Sequence, residues 1–213
     1  MMKRFLIIVE GEADKKFVSD YFHHLFQVAI PQNCIIHTGE LSKSTGGYTK
    51  LAEEINIVRM KQNTNQGGVN LVIFDADKEP DVRRKELEAI REQHNVEFEL
   101  FLLPNNKDKG ELEDLLEHII NPNNKPIFDC WENYEKELVK QDIPGRTPPP
   151  LTTPAKKTKI YGYLEALLFN NQKEQIKEKK RDYENTLHWN LDAEYLESLR
   201  DFLSNWLNDE AKK

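Results

Sequence analysis

Four short apolar runs alternate with stretches of helical period along the first 120 or so residues. That alternation restricts the fold more than any other feature. Phe5-Leu6-Ile7-Ile8-Val9 is continuous and rich in β-branched residues, the pattern of a strand buried on both faces. Cys34-Ile35-Ile36-His37, Leu71-Val72-Ile73-Phe74 and the segment from Phe98 to Leu103, closed by Pro104, read as three further strands. Phe17, Val18, Tyr21, Phe22, Leu25 and Phe26 fall at helical spacing after the first strand. Leu51, Ile55 and Val58 do so before the third, with Gly67-Gly68 as the break. Val82, Leu87 and Ile90 mark a solvent-facing helix over 81–94, and Leu112, Leu115, Leu116, Ile119 and Ile120 mark one from about Gly110 to Ile120. The order βαβαβαβα predicts a four-stranded, mostly parallel sheet between helices, joined by right-handed crossovers.

The second half reads differently, and we place a boundary at 122/123. Residues 1–122 form the α/β core and 123–213 a helical extension packed on it. A turn cluster, Asn121 to Pro126, precedes a short helix from Phe128 to Val139. Pro144-Gly145, Pro148-Pro149-Pro150 and Pro154 mark an extended linker. Ile160, Tyr161, Leu164, Leu167 and Leu168 define the next helix. Tyr195, Leu196, Leu199, Phe202, Leu203, Trp206 and Leu207 define the last, with Asp192 as its N-cap. That stripe is too apolar to face water. Packing on the core is the expectation, and a homodimer interface the alternative.

Charged residues make up 31% of the 213 and hydrophobic ones 38%, which suits a globular protein and not a disordered one. A net charge of −7 argues against a nucleic-acid coat but leaves room for a local basic patch. Cys34 and Cys130 lie far apart with no ligand spacing around them, so reduced thiols in a cytoplasmic protein are expected. The first apolar run stops at Glu10, too soon for a signal peptide, and no membrane association is expected.

Ligands of open parallel sheets bind beyond the carboxyl ends of the strands. Glu10 ends the first strand here, and Asp75 and Asp77 end the third. If those strands are neighbours, the three carboxylates converge. Such a cluster is costly unless a hard cation offsets the mutual repulsion, and Mg²⁺ takes one or two carboxylates while sharing its remaining positions with water and substrate phosphates. Residues two apart on a strand point the same way, which suits Asp75 and Asp77. Gly11 fits a tight turn where a phosphate could meet free N–H groups of the first helix. The structural explanation is that each acid merely caps the following helix.

The segments Ile7-Ile8-Val9-Glu10-Gly11 with Asp14, and Val72-Ile73-Phe74-Asp75-Ala76-Asp77, resemble the Toprim family, the metal-binding domain of topoisomerases, primases, and small and OLD-type nucleases. Leu103-Pro104-Asn105-Asn106, Gly110-Glu111-Leu112-Glu113-Asp114-Leu115 and a helical tail with Trp189 look similar to the bacterial Toprim-like proteins related to OLD-type nucleases. The resemblance implies a Mg²⁺- or Mn²⁺-dependent nuclease acting on DNA or RNA. It makes Glu10 the general acid or base and Asp75 and Asp77 metal holders. It also brings Glu113 towards the metal, although acids in a first helical turn equally suit the helix dipole. Lys78-Glu79-Pro80 stands where many members have a further acid or a glycine. No topoisomerase or primase module accompanies the core, so those activities are disfavoured. Some relatives carry a fused ATPase, so an ATPase on another chain is a candidate partner. The alternative is a non-catalytic metal- or nucleotide-binding module that works through a partner protein.

The loop from Ser42 to Lys50 lacks P-loop spacing and reads as plain surface. Lys156, Lys157, Lys159, Lys173, Lys177, Lys179, Lys180 and Arg181 make the tail locally basic, as a solvated face or a nucleic-acid groove. His23 and His24 read as structural.

Overall fold

A computed structural model describes residues 3–43, 45–145, 151–168 and 176–207. Strands β1 (Phe5–Val9), β2 (Ile35–His37), β3 (Val69–Asp75) and β4 (Glu99–Leu103) form one sheet in the order β2-β1-β3-β4. Every pairing is parallel, and β1 lies directly against β3, with Phe5 opposite Val69 and Val9 opposite Ile73. The four-stranded parallel sheet with flanking helices and a helical C-terminal part is therefore as the sequence pattern predicts.

The strands sort their side chains by the period of two. Phe5, Ile7, Val9, Leu71, Ile73, Phe101 and Leu103 face one layer, made by α1 (Glu12–Phe26), α4 (Leu112–His118) and the C-terminal helices. Leu6, Ile8, Val72, Phe74 and Leu102 face the other, made by α2 (Glu54–Asn65) and α3 (Pro80–His94). The last helix, α7 (Glu197–Leu207), buries Leu199, Leu203 and Leu207 in the same cluster as the sheet. The extension therefore packs on the core. α5 (Lys125–Leu138) and α6 (Lys156–Ala166) complete the α-helices among the described residues.

Several details differ from the sequence reading. The phase of α2 is rotated: Ile55 and Val58 are exposed, and Asn56, Ile57, Met60 and Asn63 are buried. Buried amides decide this. Asn56 Nδ2 donates to Thr38 O (2.9 Å) and Lys50 O (2.8 Å), and Asn63 Nδ2 donates to Val69 O and Asn70 Oδ1 (both 2.9 Å). Turning Ile55 and Val58 inwards would bring Ile57 and Met60 out and strip both amides of these partners. Leu51 belongs to a separate 3-10 turn, Tyr48–Ala52. In α3, Val82 is exposed and Arg83 is buried in its stead.

Helix α4 starts at Leu112, not Gly110, because Gly110 (φ 144°) is taken up pairing with Asp77. Helix α5 begins at Lys125, with Pro126 in its first turn. Asp192 does not cap the last helix: a 3-10 turn over Glu194–Leu196 leads into it, and the Asp192 carboxylate meets His24 Nε2 at 2.9 Å. His23 Nδ1 lies 2.7 Å from Glu184, so both histidines tie α1 to the extension, a structural role as expected. Among the described residues no helix is long and apolar enough to cross a membrane. Lys173 and the proline triplet lie outside the described residues.

Candidate functional site

Because β1 and β3 are parallel neighbours, Glu10 and Asp75 emerge side by side at the carboxyl edge of the sheet. Asp75 is the last residue of β3, and its Oδ1 accepts the Leu112 N–H at 3.0 Å, which fixes the start of α4 against the strand. Asp14, in the first turn of α1, accepts the Gly11 N–H at 2.8 Å. Asp114 does the same for the Glu111 N–H in α4, also at 2.8 Å. Each bond satisfies one of the donors that a helix start leaves orphaned.

Glu10, Asp14, Asp75, Glu111 and Glu113 lie close enough to repel one another. Burial, reinforced by Asp14, Glu10 and Glu113, raises the Asp75 carboxyl well above its usual range. Burial also raises Asp14, to about 7, against the partial relief of the Gly11 N–H and with Glu10 and Glu113 adding to the rise. Glu10 is raised by burial and partly relieved by Arg83. Glu113 is raised by burial, with Arg181 and Lys157 among the groups opposing the rise. Glu10 Oε2 is buried without a hydrogen-bond partner.

Asp77 departs from the expected geometry. It lies beyond the strand in the left-handed region (φ 53°), so the alternation of a pleated strand does not set its direction. Its backbone exchanges two hydrogen bonds with Gly110, of 2.8 and 2.7 Å, and its exposed carboxylate pairs with Arg83. Among the described residues no three His, Cys, Asp or Glu side chains stand together in a ligating arrangement. Gly11 has an extended backbone, and its N–H is taken by Asp14.

Sequence reasoning named Asp14 only within the motif that follows the first strand, not among the clustered acids, and missed Arg83 altogether. Asp14 was legible as an acid in the first helical turn. Nothing in a run of charged helix residues singles out Arg83. The loop before Lys50 was also undervalued. The single Thr38 hydroxyl proton is shared between Glu10 O (3.0 Å) and Gly47 O (3.1 Å), and the Gly47 N–H donates to Thr38 Oγ1. This folds the Gly46-Gly47 turn onto the end of β1. A Cβ at Gly46 would lie 1.9 Å from Glu10 O. Gly46→Ala is therefore expected to displace the loop or Glu10 and to cost about 1–3 kcal/mol, read as a lower urea midpoint at unchanged slope.

The extension supplies the rim. Lys156 pairs with Asp114 (2.7 Å), Lys159 with Glu117 (2.8 Å) and Lys179 with Glu12 (2.6 Å), while Lys157 pairs with Glu178. Fully buried Arg181 donates to Tyr183 Oη at 3.0 Å and relieves Glu113. These tail cations act first as counter-charges to acids in and around the site.

The fold and its acids define a parallel α/β protein with a carboxylate cluster at the sheet's carboxyl edge and a helical extension that helps to neutralise it. The chain belongs to the family described as protein of unknown function (DUF3226), which matches residues 4–208. The match takes in the extension as well as the sheet. No curated protein and no solved structure matches the chain.

Proposed function

We propose that this protein is a metal-dependent phosphodiester-processing enzyme, a Mg²⁺-dependent nuclease acting on DNA or RNA, on a Toprim-like core. The observation that carries the reading is the convergence of Glu10 and Asp75 at one edge of the sheet, with Asp14 and Glu113 beside them and all four carboxyls raised. A divalent cation fits this donor set. The ligands are hard oxygens, their repulsion needs a positive charge, and buried Glu10 Oε2 has no partner. Glu10, Asp75 and Asp77 would hold Mg²⁺ or Mn²⁺, with Glu113 in reach of it. Once bound, the ion would supply phosphate orientation and charge stabilisation.

The chain's own residues support the chemistry in two ways. Burial raises the Glu10 carboxyl above its usual range, so it holds a proton more readily than a free carboxylate, as a group that takes or gives one must. Asp14 and the Leu112 N–H bond lock the two helix starts against the strands, which holds the acids in place. We place the protein in the cytoplasm, with both cysteines reduced.

The pairing of Asp77 with Arg83 favours a second reading, a binding module that holds a metal or nucleotide and acts through a partner. One experiment separates the two. Purified protein is incubated with DNA and RNA substrates in Mg²⁺, Mn²⁺ or chelator, beside an Asp75→Ala/Asp77→Ala variant. The nuclease reading expects metal-dependent cleavage that falls at least about 100-fold in the variant. Cleavage in chelator, or full activity in the variant, would refute it. Cation binding without cleavage would shift the assignment to the binding module.

A further inference from the structure

Arg83 is an unusual residue to find inside the second layer of helices. It is 8% exposed, its guanidinium stacks 3.6 Å from the centre of the Tyr48 ring, and its Nη2 pairs with Asp77. Its Nε and Nη1 are buried with no hydrogen-bond partner. The nearest further carboxylate is Glu86, one turn along α3, whose Oε2 stands 3.6 Å from Nη1, an ion pair without a hydrogen bond. These groups line a cleft of about 360 Å³ with Ala76, Lys78, Glu79 and Val82. Glu10, across the site, also feels the Arg83 charge.

The two partners of the ion pair differ in freedom. The Asp77 main chain is clamped to Gly110 by its two hydrogen bonds, but half of its side-chain surface is exposed and the carboxylate can turn. The Arg83 side chain is nine-tenths buried under Tyr48 and cannot follow. A buried guanidinium stripped of its carboxylate would be costly, so release of Asp77 requires another anion to take its place. Glu86 is already within ion-pair distance on the same helix, with its own side chain 41% exposed and free to adjust.

We propose that Arg83 is a built-in rival of the divalent cation. Its guanidinium holds Asp77, and Glu86 would take over the guanidinium if a cation drew Asp77 away. This rests on the metal reading given above and adds a regulating pair to it. Arg83 is a positioning residue here, acting on the metal through Asp77.

Removing the guanidinium and removing its second acceptor should move cation affinity in opposite directions. Mg²⁺ and Mn²⁺ are titrated by calorimetry into the full chain and its variants, each first checked for a native melting transition. Arg83→Gln removes the rival and is expected to bind about fivefold more tightly than the unaltered protein. Arg83→Lys keeps the charge and should stay near the unaltered value. Glu86→Gln removes the acceptor of the released guanidinium and should bind about two- to threefold more weakly. Weaker or unchanged binding in a folded Arg83→Gln overturns the inference, as does unchanged or tighter binding in Glu86→Gln. If Arg83→Gln does not fold, Glu86→Gln decides alone. Cation binding in which neither variant shifts would leave the metal reading intact and end this one. No binding in the unaltered protein or any variant would remove both.

Discussion

Asp14→Asn is expected to raise the melting temperature of the metal-free protein at pH 8 by roughly 4–8 °C, or about 2 kcal/mol. Asp14 is 7% exposed, and its folded pKa is raised from 3.8 to about 7 by burial, with Glu10 and Glu113 adding to the rise. Between about pH 4 and pH 7 the folded protein keeps a proton that the unfolded chain has released, so stability falls as pH rises through that window. Above it the full penalty stands. A rise of this size in a lone group corresponds to about 4 kcal/mol. The asparagine oxygen keeps the Gly11 N–H bond, but its new NH₂ needs a partner, which returns roughly 1–3 kcal/mol. The gain should shrink towards pH 4, close to the ordinary value of 3.8, where the unfolded chain begins to hold this proton as well. Thermal unfolding in chelator at pH 4, 6 and 8 reads this directly. An unaltered protein whose metal-free stability climbs from pH 5 to 8, or an Asp14→Asn variant less stable at pH 8, would contradict it.

The same acids explain why the site was partly legible in the sequence. Glu10 and Asp75 follow continuous apolar runs, and in a parallel sheet the end of such a run is a position at the edge where ligands collect. Their adjacency needed only the strand order β2-β1-β3-β4, which puts the first and third strands together. Asp77 was legible as an acid but not in its direction. The chain leaves the strand after Asp75 and turns left-handed at Asp77, where the pleat no longer governs. Its partner Arg83 sits among Asp81, Arg84, Lys85 and Glu86, where composition alone predicts a solvated face. Burial of Arg83 under Tyr48 joins two segments whose contact no local pattern reports.

The helices show the same division. Helix α1 buries Phe17, Val18, Tyr21 and Phe22 as its period predicts, because its apolar stripe is thick enough to set the phase with Asp14 and Asp20 buried beside it. In α2 the apolar stripe is thin, and Asn56 and Asn63 outweigh it by reaching buried carbonyls of neighbouring segments. Asparagine is read as a surface or capping residue by default, so a phase set by buried amides is invisible until the partners are known. The lysines of the extension were visible as a basic stretch. Their pairing with Asp114, Glu117 and Glu12 was not, since it depends on how the extension folds back over the carboxyl edge.

Trp189→Ala should be the most damaging single truncation in the extension, costing about 3–5 kcal/mol. The indole is 1% exposed and packs against Tyr163 (5.5 Å between ring centroids) and Tyr183 (5.4 Å). Tyr183 in turn meets Phe17 of α1 edge-on at 5.2 Å, and its N–H donates to Asp20 at 3.0 Å. Next to Trp189 the chain is sewn to the end of α4, with the Asn190 N–H on Ile119 O (2.7 Å) and the Asn121 N–H on His188 O (2.8 Å). Removing the indole therefore leaves a cavity where the extension, α1 and the segment after α4 meet. The damage should reach the site, because Arg181 is held by the Tyr183 hydroxyl and relieves Glu113. Trp189→Phe separates packing from hydrogen bonding. The indole Nε1 has no partner, so the phenyl ring loses only volume and should cost less than about 1.5 kcal/mol. Urea unfolding of the three proteins gives the comparison, and calorimetric titration of Mn²⁺ tests whether the loosened extension also weakens the site. A Trp189→Ala protein within about 0.5 kcal/mol of the unaltered chain would mean that the extension is an ornament on a self-sufficient core. The expected loss would mean that the sheet and its extension fold as one unit.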